Sequence, residues 1–381
     1  MKKQHIDYFF EVFEKSTIPE LFSGIQEFNS DEILKNFDHK KSSLDQFYSV
    51  FFIPDYLQPI LNDDRFITKK VSQFFKGYAI FLDGFSDVNA YLKHRFRSNA
   101  KGIRRRVNRL ETCFDISCKM YYGKIQKDEY DHYMNSLEQM LIRRFEQRND
   151  VSQSLLRWDH YKEMYFSLIN EKRASLFVIM NGNNPIVVSL SHHFDNRLFS
   201  AISSYDIDYG KFSLGSVEIY KKLEWCIAND HKSYEMGMGD LSYKREWCNH
   251  IYNFEHQIIY PKASFVSRIK GNIEYLKVSL KEYIFKIAYV RYKSYKAKRK
   301  KSEPNQEIKY SVSKIEAVQF SEEYPVVDYN NEKYAFLRKM VFDFLYSAIE
   351  NVSDVKVFQI PEEQKSFMII GKSKMQKITL E

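Results

Sequence analysis

Apolar residues cluster in three consecutive segments near the middle of the chain, and each segment has the pattern of a β-strand. The first two lie within 175–194 and are separated by Asn181-Gly182, a pair that favours a tight hairpin turn. The third occupies 197–205 and runs into a polar loop at 206–214. The pattern therefore predicts a hairpin and a third strand that are followed by a polar loop.

An amphipathic helix follows the loop, and its first turn contains Gly215. Glycine lets the backbone approach a ligand closely, and the unpaired N–H groups of a helix N-terminus attract anions. A short strand then leads into residues 237–247. The order of these elements predicts an anion-binding position near Gly215.

Periodic patterns elsewhere predict the remaining elements. Upstream they predict short helices in 1–65, a strand at 71–82, a helix at 88–110, a strand at 113–122, and helices at 127–147 and 158–170. Downstream they predict a strand at 251–260, a linker at 302–306, a strand at 315–320, a helix at 331–350, and strands at 354–359 and 366–371.

Between Ile269 and Val290 apolar residues recur at alternating steps of four and three. This heptad spacing predicts a long helix that packs its apolar seam on a partner helix or on the rest of the protein. The seam residues are Ile269, Ile273, Leu276, Leu280, Tyr283, Ile287 and Val290.

Basic residues are concentrated in two segments, although the net charge of the 381-residue chain is only +8. Segment 93–109 has a net charge of +8, and segment 266–301 has a net charge of +10. Such clusters are typical of a solvated helix face or of contact with anionic lipid headgroups or phosphates. No helix-turn-helix or aromatic RNA-binding motif accompanies them, so sequence-specific recognition of nucleic acid is not expected.

Composition and length indicate a water-soluble protein of two domains. Four cysteines without metal-site spacing indicate reduced thiols and no metal. The acidic residues that soon follow Met1 do not fit a signal peptide, and no apolar run reaches the length of a spanning helix. We expect a cytoplasmic protein, with contact to the inner membrane face as an open alternative.

Several short motifs, taken in order, resemble the cellulose-biosynthesis-type acetyltransferase-like branch of the GNAT superfamily, whose relatives include the Fem peptidyl transferases. They are Phe-Val-Ile-Met-Asn-Gly at 177–182, Ser-Ser-Tyr-Asp at 203–206, Phe-Ser-Leu-Gly at 212–215, Gly-Asp-Leu-Ser-Tyr-Lys-Arg-Glu-Trp at 239–247, and the basic run at 98–106. The resemblance spans roughly residues 87–255. It implies a bacterial-type protein with an α+β GNAT-like fold, in which helices flank a mixed, mostly antiparallel central sheet.

The resemblance and the periodic patterns together suggest a division of the chain. Residues 1–125 form an N-terminal region, a candidate degenerate first unit of a tandem GNAT pair, and 126–262 form the acyltransferase domain. Residues 263–301 form the long basic helix, and 307–381 form a small C-terminal α+β unit.

The resemblance implies that the pyrophosphate of an acyl-CoA co-substrate binds backbone amides at the start of the helix. The residues assigned to this cofactor position are Ser213, Leu214, Gly215 and Ser216. Ser213 is also placed to cap the helix. The usual Gln/Arg-x-x-Gly-x-Gly/Ala signature is not present, because Phe212 and Val217 occupy two of its positions.

Three residues are candidates for catalysis. Strand alternation places His193 on a small, polar face with Ser189 and Ser191, so it is a candidate general base. Asp206 would orient a base or hold the acceptor amine, and Tyr243 would donate a proton to the leaving thiolate. Each has a plainer explanation: a solvated histidine, a turn residue and a packing residue.

The remaining candidates bind substrate. Tyr205 follows the third strand, and Asp240, Lys244 and Trp247 lie in the motif that resembles the Fem-type Tyr/Phe-Lys-x-x-Phe element. Arg104 and Arg105 head the basic run and would contact a phosphate or a lipid headgroup. Close packing of Trp247 and a solvated arginine face are the alternatives.

The implied activity is transfer of an acyl group from acyl-CoA to an amine on a sugar, lipid or other cell-envelope precursor. Two alternatives stay open. One is a Fem-type transferase that uses aminoacyl-tRNA, and the other is a non-catalytic assembly protein that keeps the fold.

Overall fold

The computed structural model describes residues 2–28, 32–35, 46–300, 309–314, 324–361, 363 and 365–381, and only the backbone between 296 and 300. The described strands are β1 (Lys2–Asp7), β2 (Phe22–Glu27), β3 (Ile33–Lys35), β4 (Gln46–Pro54), β5 (Leu57–Leu61), β6 (Phe66–Phe81), β7 (Ile116–Tyr121), β8 (Ala174–Asn181), β9 (Asn184–Phe194), β10 (Arg197–Tyr205), β11 (Ser233–Met238), β12 (His250–Pro261), β13 (Tyr310–Lys314), β14 (Lys356–Gln359), β15 (Ser366–Ile370) and β16 (Met375–Leu380). The described α-helices are α1 (Val88–Phe96), α2 (Ala100–Cys113), α3 (Lys127–Glu146), α4 (Trp158–Asn170), α5 (Leu214–Ala228), α6 (Ser242–Trp247), α7 (Phe265–Lys300) and α8 (Arg338–Ala348).

One nine-stranded sheet organises the molecule, with the order β1-β4-β12-β6-β11-β10-β9-β8-β7. Only the pairs β1/β4 and β10/β11 are parallel, and the others are antiparallel. The predicted fold class, a mixed and mostly antiparallel sheet flanked by helices, is therefore confirmed. Strand β6, from the predicted N-terminal region, lies between β11 and β12, so the sheet is continuous across residue 125.

The predicted hairpin and third strand are present as β8, β9 and β10. Asn181 pairs with Asn184 at the turn, and Gly182 has a φ of +54°, which favours glycine. Helices α3 and α4 cover one face of these strands through a core that includes Tyr130, Leu137 and Tyr165. Helices α1, α2, α5 and α8 share a second core on the other face.

The prediction of short helices in residues 1–65 is wrong for most of the described part of that region. It contains β1 to β5 and a single short π-helical segment, Phe10–Glu14. The aromatic and β-branched run in β4 explains the difference, because such residues fit a sheet better than a helix. Pro59 lies in β5, an edge strand that pairs only with β2, where proline is tolerated.

The single helix predicted at 88–110 is two helices, α1 and α2. The chain turns at Arg97, whose φ of +51° is incompatible with a continuous helix. The apolar stripe continues across the break, since Leu92, Phe96 and Ile103 all lie in the same core. The periodicity therefore identified the buried face and missed the turn.

Helix α7 has nearly the predicted extent, but its predicted seam does not pack on the protein. All seven seam residues are exposed, with exposed fractions from 37% for Ile287 to 65% for Leu276. The face that packs on β6 and β12 instead contains Gly271, Val278 and Tyr289. Sequence periodicity located the most apolar face of the helix, which is not the face the protein covers.

The C-terminal part contains a second sheet, with the order β13-β16-β15-β14, and helix α8. The predicted helix at 331–350 begins as a 3-10 helix, Glu332–Leu337, and continues as α8. Strands β14 and β15 match two predicted strands. The strand predicted at 315–320 and the linker predicted at 302–306 lie outside the described residues.

None of the helices in the described residues is both long enough and apolar enough to span a bilayer.

Candidate functional site

A cleft opens where β10 and β11 separate. The two strands pair in parallel only over Arg197–Phe199, opposite Ser233–Glu235, and then diverge. Both strands carry a register shift at this point, β10 between Ser200 and Ile202 and β11 between Glu235 and Gly237. Such bulges bend a strand away from its partner. The resulting cleft has a volume of about 500 Å³.

Four elements line this cleft. They are β10, β11, the loop and first turns of α5, and α6, with one side chain from α3. The lining residues are Arg144, Ser200, Ala201, Ser203, Tyr205, Gly210, Ser213, Gly215, Ser216, Glu218, Ile219, Tyr234, Met236, Tyr243 and Lys244. Six of the predicted site residues are among them, namely Tyr205, Ser213, Gly215, Ser216, Tyr243 and Lys244, and the others are residues that the sequence did not single out.

The N-terminus of α5 forms one wall. The backbone oxygen of Ser213 accepts hydrogen bonds from the N–H groups of Ser216, at 2.8 Å, and Val217, at 3.3 Å. The N–H groups of Leu214 and Gly215 have no acceptor among the described residues. They are the donors that an anion at this helix end would use. A phosphate-bearing ligand therefore fits this wall.

The structure changes two details of the predicted cofactor position, at Ser213 and at Leu214. Ser213 has a φ of +55°, and its side chain makes no capping hydrogen bond, so the predicted cap is wrong. The Leu214 side chain is buried in the core, which leaves only its backbone for a ligand. At Gly215 an added Cβ would contact only the Tyr205 ring, at 3.4 Å. A larger residue there would fill the cleft without a backbone clash.

A buried ion pair forms the floor. The Glu218 carboxylate accepts hydrogen bonds from the Ser203 hydroxyl at 2.6 Å and pairs with the Lys222 ammonium at 2.9 Å. Lys222 is fully buried, and its ammonium also donates to the Ser191 hydroxyl at 3.4 Å. Sequence reasoning missed Glu218. The available signal was an acid and a lysine spaced i, i+4 on an otherwise apolar face of α5.

Two tyrosines approach this carboxylate from the other wall. The Tyr243 ring is partly exposed, but the surrounding protein desolvates its hydroxyl and raises its pKa. Repulsion from Tyr234 and Glu218 raises that pKa further. The pKa of the buried Tyr234 is raised by desolvation first and then by Glu218. Both hydroxyls are therefore protonated near neutral pH and can donate.

Lys244 lines the cleft, and its buried side chain has no carboxylate partner among the described residues. Its ammonium donates to the backbone oxygens of Met238, at 2.7 Å, and Gly237, at 3.4 Å. Burial lowers the pKa of Lys244 to about 8. A buried amine with such a pKa changes its charge easily, which is typical of functional lysines.

Arg144 of α3 forms the outer edge. Its guanidinium stacks on the Tyr205 ring, 4.2 Å from the centroid, and donates to the Ser203 backbone oxygen at 3.4 Å. Its buried Nε has no partner among the described residues. The sequence identified Tyr205 but missed Arg144, because the two are more than sixty positions apart in the chain. Arginine held on an aromatic ring presents a fixed fork to a phosphate or carboxylate.

His193 lies outside this cleft. Its ring bonds to Ser175 Oγ at 2.8 Å and to His231 Nε2 at 3.1 Å, and it stacks on Tyr122. Burial lowers its pKa well below the usual value, and His231 adds to this effect. Helix α5 covers the small, polar face that the alternation pattern predicted, so the face is polar but closed. The predicted role of His193 gains no support from its position.

Three further predicted residues also lie outside the lining. Asp206 pairs with Arg143 at 3.2 Å and with Arg338 at 3.7 Å. Asp240 lies between the Tyr78 hydroxyl and Arg245, and Arg245 is the main reason that its pKa is lowered. Trp247 is only 1% exposed and packs in the core. All three side chains thus contact other parts of the protein and do not face the cleft.

Arg104 and Arg105 line a second, shallow depression of about 390 Å³. The other residues there include Lys101, Arg109 and Asn108, so the depression is strongly basic. None of them lines the β10/β11 cleft. Within the described residues, no three His, Cys, Asp or Glu side chains come together as a metal site would need.

The part of the chain that forms the cleft matches a known protein family. Residues 97–245 match the family described as "Acetyltransferase (GNAT) domain". No curated protein matches the chain.

Solved structures with a similar fold include FemX, with a TM-score of 0.42 and 8% identity over 59% of this chain and 74% of that one. They also include a tandem GNAT protein from the clavulanic acid biosynthesis pathway, with a TM-score of 0.30 and 7% identity over 61% of this chain and 74% of that one. A GCN5-related N-acetyltransferase from Sphaerobacter thermophilus has a TM-score of 0.29 and 7% identity over 57% and 60% of the two chains. The family match confirms, over residues 97–245, the relation to the GNAT superfamily that the sequence motifs predicted.

Proposed function

We propose that the protein is an N-acyltransferase that moves an acyl group from a coenzyme A thioester to an amine. One observation carries the proposal: a helix N-terminus with unpaired N–H groups, a carboxylate and a protonated tyrosine share one cleft. The match of residues 97–245 to an acetyltransferase family supports the reaction class. The acceptor we propose is an amine on a sugar or lipid precursor of the cell envelope.

The N–H groups of Leu214 and Gly215 would bind the pyrophosphate, and the guanidinium of Arg144 would bind a further anionic group of the co-substrate. The two backbone N–H groups have no acceptor among the described residues, and the Arg144 guanidinium, which donates a 3.4 Å hydrogen bond to the Ser203 backbone oxygen, keeps further N–H donors for an anion. The co-substrate supplies the thioester that the acceptor amine attacks. A C–N bond forms as the C–S bond breaks.

Glu218 would remove the proton that the attacking amine must lose. Its carboxylate lines the cleft, while Ser203 and Lys222 hold it in place. Tyr243 would donate a hydrogen bond to the leaving thiolate as it forms, because its raised pKa keeps the hydroxyl protonated. Backbone N–H groups on the β10 edge beyond Phe199 would stabilise the negative carbonyl oxygen. This assignment replaces His193 by Glu218 as the base.

Calorimetric titration with coenzyme A tests the binding half of the proposal. We expect the wild type to bind and Gly215→Val to bind more than about tenfold more weakly, since a side chain would occupy the anion position. Gly102→Val is the matched control, because Gly102 also lies in a helix and faces open space. Equal affinity for the wild type and a folded Gly215→Val protein would contradict the assignment.

Turnover with acetyl-CoA or longer acyl-CoA and a panel of amines tests the chemical half. We expect Glu218→Gln to lower kcat by roughly a hundredfold or more, as for loss of a general base. Glu224→Gln on the same helix is the control, because Glu224 pairs with Lys221 outside the cleft. Binding of aminoacyl-tRNA without affinity for coenzyme A would instead support the Fem-type alternative.

A further inference from the structure

Helix α7 has two chemically distinct faces, and one of them packs on the sheet. An added Cβ at Gly271 would come within 2.5 Å of the Tyr260 ring, so the helix lies very close to β12. Farther along, Phe285 and Tyr289 pack edge-on against Phe74, with ring centroids 6.0 and 5.4 Å away. This contact fixes the rotation of the helix about its axis.

The opposite face carries the apolar stripe, which we define as Ile269, Ile273, Leu276, Leu280, Tyr283, Ile287 and Val290. At about 100° per residue these positions fall within a stripe about 100° wide, opposite Gly271 and Val278. Every member is exposed, and Phe265 and Ile284 extend the exposed apolar area. A continuous apolar surface of this length on a monomer marks a binding surface.

The charges of α7 are divided between the same two faces. Its two acidic residues point towards the protein: Glu274 pairs with Lys3, and Glu282 accepts a 2.9 Å hydrogen bond from the Phe74 N–H. Basic residues border the stripe on both sides. The exposed ones are Lys270, Lys277, Lys281 and Arg291 on one side, and Arg268, Lys286 and Lys293 on the other. From Phe265 to Tyr295 the exposed face of the helix is thus apolar and basic, with no acid.

This distribution disfavours a second copy of the chain as the occupant. In a paired coiled coil the positions next to the seam would face each other. Here those positions include Lys270, Lys277 and Arg291 on one side and Lys286 and Lys293 on the other, so like charges would meet. An anionic surface would be attracted to both sides of the stripe at once.

We propose that α7 lies flat on an anionic lipid surface, with the apolar stripe inserted at the boundary between headgroups and acyl chains. A strongly amphipathic helix with basic residues along its polar edges is the kind of element that binds in this way. Tyr283 and Tyr295 are exposed at positions where an aromatic ring can sit at headgroup level. The proposal depends on α7 alone and does not rest on the proposed acyltransferase activity.

Sedimentation of the full chain with vesicles tests this proposal. The vesicles are phosphatidylcholine alone or phosphatidylcholine with phosphatidylglycerol, at low and high salt. We expect binding to the anionic vesicles to be at least about tenfold stronger than to neutral ones at low salt, and to weaken at high salt. No binding to anionic vesicles at low salt, or equal binding to both compositions, would overturn the proposal.

Paired variants separate the apolar from the charged contribution. We expect each of two double variants to weaken binding to anionic vesicles at least about tenfold. One combines Leu276→Ser with Leu280→Ser, and the other combines Lys277→Glu with Lys281→Glu. The matched controls are Val151→Ser with Leu156→Ser and Lys124→Glu with Lys365→Glu, which change exposed residues elsewhere. Because all eight positions are exposed, the variants should fold as the wild type does. Stripe variants that bind like the wild type would overturn the proposal.

A tryptophan in the stripe reports insertion directly. The emission that Leu280→Trp adds to that of the three native tryptophans should shift to the blue on anionic vesicles, and the emission that Leu156→Trp adds should not. Two results would show that the stripe does not insert into lipid and would overturn the proposal. One is a dimer in light scattering that the Leu276→Ser, Leu280→Ser protein loses. The other is an unshifted Leu280→Trp emission on vesicles to which the protein is bound.

Discussion

The carboxylate of Glu218 and the ammonium of Lys222 lie 2.9 Å apart, one turn from each other in α5, with the lysine wholly buried and the carboxylate in the floor of the cleft. The pair joins the core of the protein to its candidate site. The lysine needs the carboxylate because a buried, unpaired ammonium is costly. The carboxylate, in contrast, also accepts a hydrogen bond from the Ser203 hydroxyl and lines the open cleft.

This asymmetry predicts a double-mutant cycle. Glu218→Gln should lower the free energy of unfolding by about 3–5 kcal/mol, because it leaves Lys222 buried and unpaired. Lys222→Met should cost less, and the double variant should be more stable than Glu218→Gln alone. Urea unfolding measures all three. The Glu224 and Lys221 pair on the same helix is the control, and its coupling should stay below about 1 kcal/mol. Simple additivity of the Glu218 and Lys222 effects would contradict the prediction.

Lys244 predicts a specific dependence of stability on pH. Its pKa is about 8 in the folded protein, below the ordinary value of 10.5, because burial disfavours the charged form. Between these two values the unfolded chain holds a proton that the folded protein has lost. The free energy of unfolding should therefore rise with pH in this window, by about 1.4 kcal/mol per pH unit from this residue alone.

Comparison with Lys244→Met isolates that contribution from the other titrating groups. The difference in unfolding free energy between wild type and variant should be steady below about pH 8 and should then move in favour of the wild type. Lys221→Met is the control, because desolvation of Lys221 is outweighed by its acidic partners and its pKa is raised. Parallel curves for wild type and Lys244→Met would show that Lys244 is not desolvated.

Asp206 should prove structural. It shares Arg143 and Arg338 with Asp208, and these four residues tie α3 and the loop before α5 to α8 in the C-terminal part. Asp206→Asn and Asp208→Asn should each lower the free energy of unfolding by about 1–3 kcal/mol, as for loss of charged hydrogen bonds. Neither should change kcat. A loss of kcat in Asp206→Asn without one in Asp208→Asn would restore the catalytic role that the sequence predicted for Asp206.

The parts of the fold that the sequence predicted are those that local pattern determines. Alternation and an Asn181-Gly182 turn suffice for the hairpin, and a glycine after a polar loop suffices for the start of α5. The same logic failed at Arg97, where a single residue with positive φ breaks a helix without interrupting its apolar periodicity.

The parts that the sequence did not predict depend on contacts between distant segments. Arg144 belongs to the site because α3 crosses β10 and brings its guanidinium over Tyr205. His193 was assigned to the correct kind of face, but only the path of α5 decides that this face is closed. The stripe of α7 is the converse case, because apolar spacing cannot tell a face that packs on the protein from one left for another partner.

Tyr243 gives the most direct test of the proposed chemistry. Its hydroxyl should stay protonated as a thiolate forms beside it, because desolvation and the nearby Tyr234 and Glu218 raise its pKa. Tyr243→Phe removes that hydrogen-bond donor and little volume, so we expect kcat to fall by roughly a hundredfold while KM for acyl-CoA changes little. Tyr283→Phe, an exposed hydroxyl on α7, is the control. An acyl donor whose leaving group needs no hydrogen bond should reduce the defect. If kcat of Tyr243→Phe equals that of the wild type, Tyr243 only shapes the wall of the cleft.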